Sequence, residues 1–421
     1  MSQLAMMYRA LLIAATASAA LGAQAPRGDT SVVQSILNTL QADNAWTLEQ
    51  QRSICEIPAP PFKEAARAAE YRRRLEALGL RVRLDAVGNV IGERPGTGTG
   101  AGPTIVLAGH LDTVFPEGTD VRVKDEGGRL KAPGIGDNCR GLAVVLAVAR
   151  AYQRADPRHS ARIIFVGNVG EEGPGNLRGV RHLFEKELKG QIDYFVAVDG
   201  AGLNFVSRAV GSNRYRVTYK GPGGHSYGAF GIPNPIHALG RAIARIAEVQ
   251  VPTTPKTTFN VGVIDGGTSV NSIPFAASMD VDMRSESAET LRALDQTVRR
   301  TLQEALDAEN ARWEGLRAAR SRISLIIDTI GIRPTGAQSD SARIVQVASQ
   351  AARFLGFAPA ATASSTDANI PISLGVPAIS IDGGGRDEGA HSLNEWYEDG
   401  PTGWLGPQWA ALIVARLAGM Q

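Results

Sequence analysis

Over the first half of the chain, the pattern of hydrophobic and polar residues predicts helices and strands in alternation. Apolar residues at helical spacing run over 29–57 and stop at a proline cluster, and a basic amphipathic helix is predicted for 63–78. Short apolar runs typical of buried strands then alternate with a longer apolar helix. The predicted strands are 104–108, 161–166 and 194–198, and the predicted helix is 142–154. This alternation indicates a parallel sheet with crossover connections.

The pattern changes near Gly211, where a strand of alternating apolar and polar residues begins. From here the pattern predicts strand, helix, two strands, helix and strand, which is the order of a split βαβ sandwich. The predicted segments are 214–219, 233–249, 257–264, 276–283, 287–308 and 322–330. This region therefore predicts a small α+β unit of its own.

After residue 331 the pattern of the first half resumes, with a predicted helix at 341–354, a strand at 378–381 and a C-terminal helix. The predicted fold class is α/β: a mostly parallel sheet whose chain is interrupted by an inserted α+β unit. The predicted boundaries are 29–210 for the first part of the α/β domain, 211–330 for the insertion and 331–421 for the second part.

The N-terminal segment has the features of a signal peptide. Arg9 supplies a positive charge, residues 10–21 are apolar, and small residues surround Ala23 and Ala25. The apolar run is shorter than the roughly 20 residues that span a bilayer, so no stable membrane span is expected in the mature chain. The sequence predicts a signal peptide at 1–25 and export to the periplasm or the medium. A retained amphipathic helix or an uncleaved anchor is the alternative.

Charge and cysteine content narrow the classes of function. The 44 basic and 42 acidic residues nearly balance, and no Lys/Arg block stands out, so nucleic acid is not expected as a partner. The two cysteines, Cys55 and Cys139, exclude a disulfide framework, while a single bridge stays open. Neither belongs to a CxxC pair, so any metal must be held by histidines and carboxylates.

Five short motifs carry histidines or acidic residues, and four of them follow predicted strands or neighbouring loops. Ligands of open parallel sheets gather beyond the carboxyl ends of the strands, so these side chains are expected to meet at one edge. The motifs are GHLDTV at 109–114, GDNCRG at 136–141, GEEG at 170–173, VDG at 198–200 and AHSLNE at 390–395. The sequence therefore predicts one site with two histidines and several carboxylates.

This inventory suits a centre of two metal ions. Imidazole and carboxylate ligands suit zinc, and two cations about 3.5–4 Å apart need a carboxylate to bridge them. Asp112 follows His110 by two residues, where it can hold the second ring nitrogen. The adjacent Glu171 and Glu172 would repel each other in a plain pocket, but not if a cation neutralises Glu172 while Glu171 works on a water.

Together the motifs resemble the metallo-exopeptidase family that includes peptidase T, glutamate carboxypeptidase, succinyl-diaminopimelate desuccinylase and aminoacylase. The resemblance runs from about Ile54 to His391, and Asp199, where some members have glutamate, is closer to the peptidase T-like and dipeptidase branches. Cys139 and Arg140 fill the place where many members carry a lysine.

The resemblance implies two divalent metal ions, zinc or in its place cobalt or manganese. Glu171 matches the general base of the family, and Asp112 matches the carboxylate that orients a metal-bound histidine. The implied metal ligands are His110 and Asp199 on one ion, Glu172 and His391 on the other, and Asp137 between them. Thr366 and Asp367 are expected to support the site without taking part in catalysis.

Within the insertion, the GPGGHS segment at 221–226 resembles the family's lid histidine motif. The resemblance implies that His225 reaches an active site, often that of the partner subunit, and polarises the scissile carbonyl, and that the inserted domain forms a homodimer. Asn271 and Arg284 match substrate-contacting positions. A guanidinium can grip a carboxylate with two hydrogen bonds, so Arg284 is a candidate for the substrate's free carboxylate. Pairing with Asp282 on the surface is the alternative.

The implied function is hydrolysis of short peptides by a di-/tripeptidase or carboxypeptidase-like enzyme, through a water between the metals that Glu171 activates. Hydrolysis of N-acyl amino acids at the same site is the alternative. Two remote alternatives are a serine hydrolase that uses Ser226, since 224–228 fits GxSxG, and a non-catalytic peptide-binding protein. The serine-hydrolase alternative leaves the carboxylate motifs unexplained, and the peptide-binding alternative gives Glu171 no role.

Overall fold

The computed structural model describes residues 29–97, 101–314 and 321–420. The predicted signal peptide at 1–25 lies outside them. Among the helices that the structure describes, none is both long enough and apolar enough to cross a membrane. The helices are α1 Asp29–Ala42, α2 Asn44–Cys55, α3 Ala65–Ala77, α4 Cys139–Ala155, α5 Arg178–His182, α6 Pro235–Ala247, α7 Ala288–Arg312, α8 Arg343–Phe354, α9 Asn369–Ser373 and α10 Leu405–Leu417.

The strands form one large sheet and three small ones. In chain order they are β1 Arg81–Leu84, β2 Val90–Arg94, β3 Thr104–His110, β4 Lys124–Glu126, β5 Arg129–Lys131, β6 Arg162–Asn168, β7 Tyr194–Val198, β8 Phe205–Ala209, β9 Gly211–Lys220, β10 Gly224–His225, β11 Thr257–Gly266, β12 Ser272–Ile273, β13 Ala276–Ser285, β14 Ser324–Arg333, β15 Gly336–Ala337, β16 Ala361–Ser364, β17 Ala378–Ile381, β18 Arg386–Glu388 and β19 Trp396–Glu398.

The large sheet has the strand order β1-β2-β6-β3-β7-β17-β8-β15, and β16 pairs with β8 beside this path. Strands β6, β3, β7 and β17 run parallel, whereas β1, β2 and β15 are antiparallel to their neighbours. The predicted α/β class with a mostly parallel sheet is confirmed for this centre. The sequence pattern missed β1 and β2, because charged residues alternate with the apolar ones in β1 and the apolar run of β2 is only two residues long.

The inserted region folds in the predicted order of strand, helix, two strands, helix and strand. Its four antiparallel strands have the order β11-β13-β9-β14, and α6 and α7 pack on one face over a buried apolar cluster. Strand β13 alternates strictly between buried and half-buried residues, as expected for a sheet covered on one side. This sheet begins at Gly211 and ends at Arg333, and the domain boundaries drawn from the sequence stay predictions.

The first predicted helical segment needs a correction. Residues 29–57 form two helices, α1 and α2, that meet at Asp43. The Asp43 carboxylate accepts hydrogen bonds from Arg150 at 2.8 Å and from Arg154. Because these arginines belong to α4, the junction is fixed by a contact between residues distant in the chain.

Helix α4 lies at the centre of the main domain and positions one edge of the large sheet. Most of its residues are buried, because it packs against strands of the large sheet and against α1, α2 and α10. Its first turn is held by Asn138, whose Oδ1 accepts from the Gly141 amide at 3.0 Å and whose Nδ2 donates to the Val198 carbonyl at 2.8 Å. This contact fastens the start of α4 to the carboxyl end of β7.

Candidate metal centre

The predicted metal ligands come from the carboxyl ends of neighbouring strands. His110 is the last residue of β3, Glu172 follows β6, and Asp199 follows β7. Since β3 lies between β6 and β7, the histidine stands between the two acids. Asp137 precedes α4, and His391 comes from the turn between β18 and β19, with a positive φ of 66°. The structure therefore brings all five side chains together.

Asp137 lies between the two histidines and turns one oxygen toward each. Its Oδ1 is 3.0 Å from His110 Nε2, and its Oδ2 is 3.2 Å from His391 Nε2. Glu172 Oε1 lies 3.0 Å from His391 Nε2, and Asp199 Oδ1 lies 3.5 Å from His110 Nε2. This arrangement is the one expected if Asp137 bridges two cations with one more histidine and one more acid on each side.

The atoms His110 Nε2 and Asp137 Oδ1 are better placed to bind a metal ion than to interact with each other. His110 Nδ1 lies 3.1 Å from the backbone carbonyl of Asp112, so the neutral ring carries its hydrogen on Nδ1 and a lone pair on Nε2. That Nε2 and Asp137 Oδ1 are both buried without a hydrogen-bond partner. Two electron-rich atoms facing each other at 3.0 Å are what a cation would hold.

Without a cation the carboxylates instead favour protonated histidines, so the neutral His110 ring described above is the form that a metal ion would bind. Hydrogen bonds to Asp137 and Glu172 raise the pKa of His391 to about 10. Burial alone would lower the pKa of His110, but Asp137 and Asp199 outweigh it and hold that pKa well above its usual range. Burial raises the pKa of Glu172 to about 7. Protons on His110, His391 and Glu172 thus compensate for the excess of carboxylates, and metal binding would release these protons.

Asp112 has a different contact from the predicted one. Its carboxylate, fully buried, accepts from the backbone amides of Glu171 at 3.0 Å and Glu172 at 2.8 Å. It lies 3.7 Å from His110 Nδ1, and the backbone carbonyl of Asp112 takes that ring nitrogen. The prediction that the carboxylate orients His110 is therefore corrected: the carbonyl does so, and the carboxylate fixes the glutamate pair.

Glu171 lies beside the ligands and is held by Arg333, a residue that the sequence analysis missed. Arg333 Nη1 donates to Glu171 Oε1 at 3.0 Å and to Ser365 Oγ at 3.2 Å, while Nη2 donates to the Glu171 carbonyl. Among the described residues, Glu171 Oε2 has no donor and is the oxygen left to accept a proton. An arginine at the end of an apolar strand, immediately before a proline, was the available signal.

Glu395 is a second missed residue, although it belongs to the fifth motif. Its buried carboxylate accepts from the amides of Gly134 and Gly136, both at 2.8 Å, and of Asp137 at 3.0 Å. Burial raises the pKa of Glu395 to about 7. The loop that carries Asp137 is thus tied to the segment that carries His391.

Two further buried side chains support the site from behind. Arg140 donates to the carbonyls of Gly383 at 2.8 Å and Gly403 at 2.7 Å, so it fixes a glycine turn and does not reach the metal ligands. Asp367 accepts from Asn168 at 2.7 Å, and burial raises its pKa well above its usual range. This supporting position is the one expected for Asp367 from the sequence.

The structure does not bring His225 and Asn271 to this centre. Both are exposed and lie together on the small β10–β12 ribbon, where the Asn271 carbonyl accepts from the Ser226 amide at 2.9 Å. His225 Nδ1 accepts from the amides of Tyr227 and Gly228 at 3.3 and 3.2 Å. In the part of the chain that the structure describes, no carboxylate contacts His225, so Ser226 lacks the acid–histidine pair that a serine nucleophile needs.

A cavity of 790 Å³ joins the metal ligands to the inserted sheet. Its lining includes four predicted metal ligands (Asp137, Glu172, Asp199 and His391) and three arginines (Arg214, Arg284 and Arg333). Arg284 thus lines the same cavity as the ligands, and it also has the alternative contact, since its Nε donates to Asp282 at 2.8 Å. The cavity therefore contains both groups that bind cations and groups that bind anions.

Comparison with known proteins agrees with this geometry. Residues 106–402 match the Peptidase family M20/M25/M40. The uncharacterized protein YqjE of Bacillus subtilis is 24% identical over 363 residues, which is 83% of this chain and 92% of YqjE. A succinyl-diaminopimelate desuccinylase of Bordetella petrii is 30% identical over 243 residues, which is 54% of this chain and 64% of that protein.

Solved structures share the fold at lower identity. Aminopeptidase PepT from Bacillus cereus superposes with a TM-score of 0.66 at 20% identity, covering 90% of this chain and 97% of that one. Human carnosine dipeptidase 1 superposes with a TM-score of 0.69 at 15% identity, covering 92% of this chain and all of that one.

Proposed function

This chain belongs to peptidase family M20/M25/M40, and from that premise we propose that it is an exopeptidase of short peptides that works with two divalent metal ions. Membership makes it a metal-dependent hydrolase of peptide or amide bonds. The choice of substrate rests on one observation. Glu171, whose Oε2 has no donor among the described residues, lines the same cavity as Asp137 and Arg284.

The proposed mechanism gives each residue a separate task. Zinc, or cobalt or manganese, bound by the five ligands would lower the pKa of a water and polarise the substrate carbonyl. Glu171 Oε2 accepts the proton of the attacking water and then passes it to the leaving amine. Arg333 holds Oε1, and Asp112 holds the amides of the glutamate pair, so the carboxylate keeps one orientation.

We propose that a second copy of the chain completes the site. Around His225 lie Tyr227 and Phe230, which are 89% and 71% exposed, and nearby Val270 and Phe275 are also exposed. Exposed apolar side chains of this density mark interaction surfaces. A homodimer through the inserted domain would cover them and would carry His225 to the active site of the partner, where it stabilises the negative oxygen of the tetrahedral intermediate.

Hydrolysis of N-acyl amino acids is the second candidate, because a succinyl-diaminopimelate desuccinylase that is 30% identical over the matched residues is among the relatives. Both candidates use the same metals and the same base. They differ in whether the group before the scissile bond is an amino acid or an acyl chain.

One experiment tests the proposal and separates the two candidates. Protein reconstituted with zinc or cobalt is offered di- and tripeptides and N-acyl amino acids. Peptide hydrolysis that chelation abolishes and added metal restores, and that a serine-directed phosphonate leaves unchanged, supports the proposal. Full activity after chelation, with metal analysis showing an empty site, would refute it.

We also propose export, on the strength of the sequence of residues 1–25 alone. N-terminal sequencing of protein made in its natural host is expected to begin after residue 20. A cytosolic protein that keeps its initiator methionine would refute this.

A further inference from the structure

Helices α1, α8 and α10 surround a cavity of 380 Å³ in the main domain. Helix α10 packs against both α1 and α8, and side chains of all three helices line the cavity. Among the described residues, none lines both this cavity and the one that contains the metal ligands. We name it the helix groove and define it by Val33, Val347, Phe354, Leu412, Arg416 and Met420.

The helix groove is elongated along α8. This helix contributes one face to it, with residues spaced by four, three and four positions: Arg343, Val347, Gln350 and Phe354. A helix rises about 1.5 Å per residue, so the first and the last of these residues lie about 16 Å apart along its axis. The Arg416 guanidinium lies 5.4 Å from the centre of the Phe354 ring. Arg416 therefore stands at one end of the groove, and Arg343 stands toward the other.

The inner surface of the helix groove is apolar. Val33, Val347, Leu412 and Met420 are buried, whereas Phe354 is 58% exposed. An apolar chain lying in the groove would contact the buried side chains and cover the Phe354 ring. Each methylene group of that chain would strengthen binding, because its apolar surface leaves water. The groove therefore suits an aliphatic ligand.

The two arginines of the helix groove lack counter-charges. In the part of the chain that the structure describes, no residue that lines the groove is acidic, and neither guanidinium has a hydrogen-bond acceptor or a carboxylate within ion-pair distance. By contrast, Arg150 of the neighbouring α4 pairs with Asp43 at 2.8 Å. Arg416 is half-buried, and burial lowers its pKa with no carboxylate to oppose the effect. A partly desolvated guanidinium favours an anion, and a carboxylate can accept two of its hydrogen bonds.

We propose that the helix groove binds a medium-chain fatty acid, whose carboxylate lies at Arg416 and whose chain runs along α8 over Val347 and Leu412. A water molecule occupies about 30 Å³ in the liquid, so the cavity has room for roughly a dozen non-hydrogen atoms, which corresponds to a fatty acid of about eight to ten carbons. Arg343, toward the other end, adds attraction at longer range. This binding is independent of the proposed hydrolysis, since the groove shares no described residue with the catalytic cavity.

The test measures how the affinity depends on charge and on chain length. Butanoate, octanoate and decanoate, each below its micelle-forming concentration, are titrated into the metal-loaded protein in a calorimeter, and 1-octanol is the uncharged counterpart of octanoate. We expect decanoate to bind roughly 3- to 10-fold more tightly than octanoate, since two more methylenes leave water in a partly open groove. We expect octanoate to bind roughly 3- to 30-fold more tightly than octanol, a preference that shrinks in high salt. Butanoate can reach the metal ions but is too short to fill the groove, so it reports binding at the catalytic site.

Three variants assign the binding to the helix groove. Gln350→Trp places an indole in the groove from an exposed position, and we expect decanoate to bind at least roughly 10-fold more weakly with the melting temperature unchanged. Arg416→Met keeps an apolar side chain and removes the charge, so octanoate should lose its preference over octanol. Arg353→Met is the matched control: this exposed arginine of α8 does not line the groove, and its loss should leave that preference unchanged.

Each outcome decides for or against the fatty-acid site. A decanoate affinity no greater than that of butanoate, or one that Gln350→Trp leaves unchanged, would overturn it. So would a preference for octanoate that Arg416→Met and Arg353→Met lower equally, because the charge at the groove would then not matter. Binding to anionic phospholipid vesicles that Arg416→Met abolishes, without any binding of free decanoate, would assign the groove to a membrane surface and also overturn the site. If Gln350→Trp does not fold, the ratio of octanoate to octanol affinity in Arg416→Met decides alone, since a ratio does not depend on the amount of folded protein.

Discussion

The metal-ligand edge of the large sheet and the His225 ribbon of the insertion carry equally clear sequence motifs but are built in opposite ways. At the sheet edge, buried carboxylates fix the backbone of the ligand loops: Asp112 holds two amides and Glu395 holds three. On the ribbon, His225 is exposed and accepts only from the amides of its own turn. One region is organised by buried contacts within the chain, and the other presents its histidine outward. Equally clear motifs therefore do not indicate which of these two environments a residue occupies.

The largest expected effect tests whether the sheet edge is as organised as its contacts suggest. Glu171→Gln keeps the shape and an oxygen that can accept from Arg333, but it removes the basic group. We expect kcat to fall by roughly 10²–10⁴, the usual contribution of general acid–base catalysis, with metal content unchanged. Glu172→Gln should instead loosen a metal ion. Equal metal content in the two variants, measured by elemental analysis, would contradict this division of roles.

The next effect tests the opposite character of the ribbon. His225→Ala should keep its metal ions and lose roughly 10²–10³ in kcat, as expected for one donor to a developing oxyanion. Mixing it with the Glu171→Gln variant, after subunit exchange, should restore part of the activity through hybrid dimers with one intact site. If exchange is proven by mass spectrometry and no activity returns, His225 does not act across the dimer.

A smaller effect tests the inserted sheet where it faces the metal ligands. If Arg284 holds the terminal carboxylate, free peptides should be cleaved better than their C-terminal amides. Loss of a charge-assisted contact of about 1.5–3 kcal/mol corresponds to roughly a 10- to 150-fold drop in kcat/KM. Arg284→Ala should bring the ratio near unity, and Arg284→Lys should recover only part of it. Equal cleavage of acids and amides by the wild-type enzyme would remove this role from Arg284.

The smallest expected effect tests whether Glu395 supports the loop that carries Asp137 or only contributes to the folding stability of the protein. Glu395→Gln places an amide NH₂ against backbone N–H donors, so the Asp137 loop loses part of its support. We expect metal affinity to fall roughly 10- to 100-fold, the usual effect of losing a residue that supports a ligand, measured by competition with a chelator. The visible spectrum of the cobalt form should change with it.

Glu309→Gln is the matched control for Glu395→Gln. Glu309 is fully buried in the insertion and accepts from the Asn234 amide at 3.0 Å and from Trp313 at 2.9 Å. Its loss should lower the melting temperature but leave metal affinity unchanged. A similar loss of metal affinity in both variants would show that Glu395 acts only through general stability.

The sequence predicted what depends on chain order, and it missed what depends on contacts across the chain. His110, Glu172 and Asp199 lie at or just beyond the carboxyl ends of strands, and neighbouring parallel strands end at one edge of the sheet, so their meeting was predictable. Arg333 is 162 residues from Glu171, and no periodicity links the two. The Asp112 carboxylate bonds to the amides of Glu171 and Glu172, which are 59 and 60 residues away in the chain, so its partners also could not be read from the spacing to His110.

Strand boundaries show the same limit. The apolar runs at 104–108 and 161–166 marked the buried centres of β3 and β6, but both strands continue to the polar residues that form the site, His110 and Asn168. The apolar run ends before the polar residues at the strand end, whereas the backbone pairing continues through those residues. The functional ends of strands are thus the parts that an apolar pattern describes least well.

Arg333 is the last residue of β14, the strand by which the inserted sheet returns to the large one, and its guanidinium rests on Glu171. The position of the insertion and the hydrogen bonding of the catalytic carboxylate are therefore linked in the thermodynamic sense. If a substrate favours one position of the inserted sheet and thereby changes the contacts of Glu171, then a change at Glu171 must alter the affinity for that substrate by the same free energy.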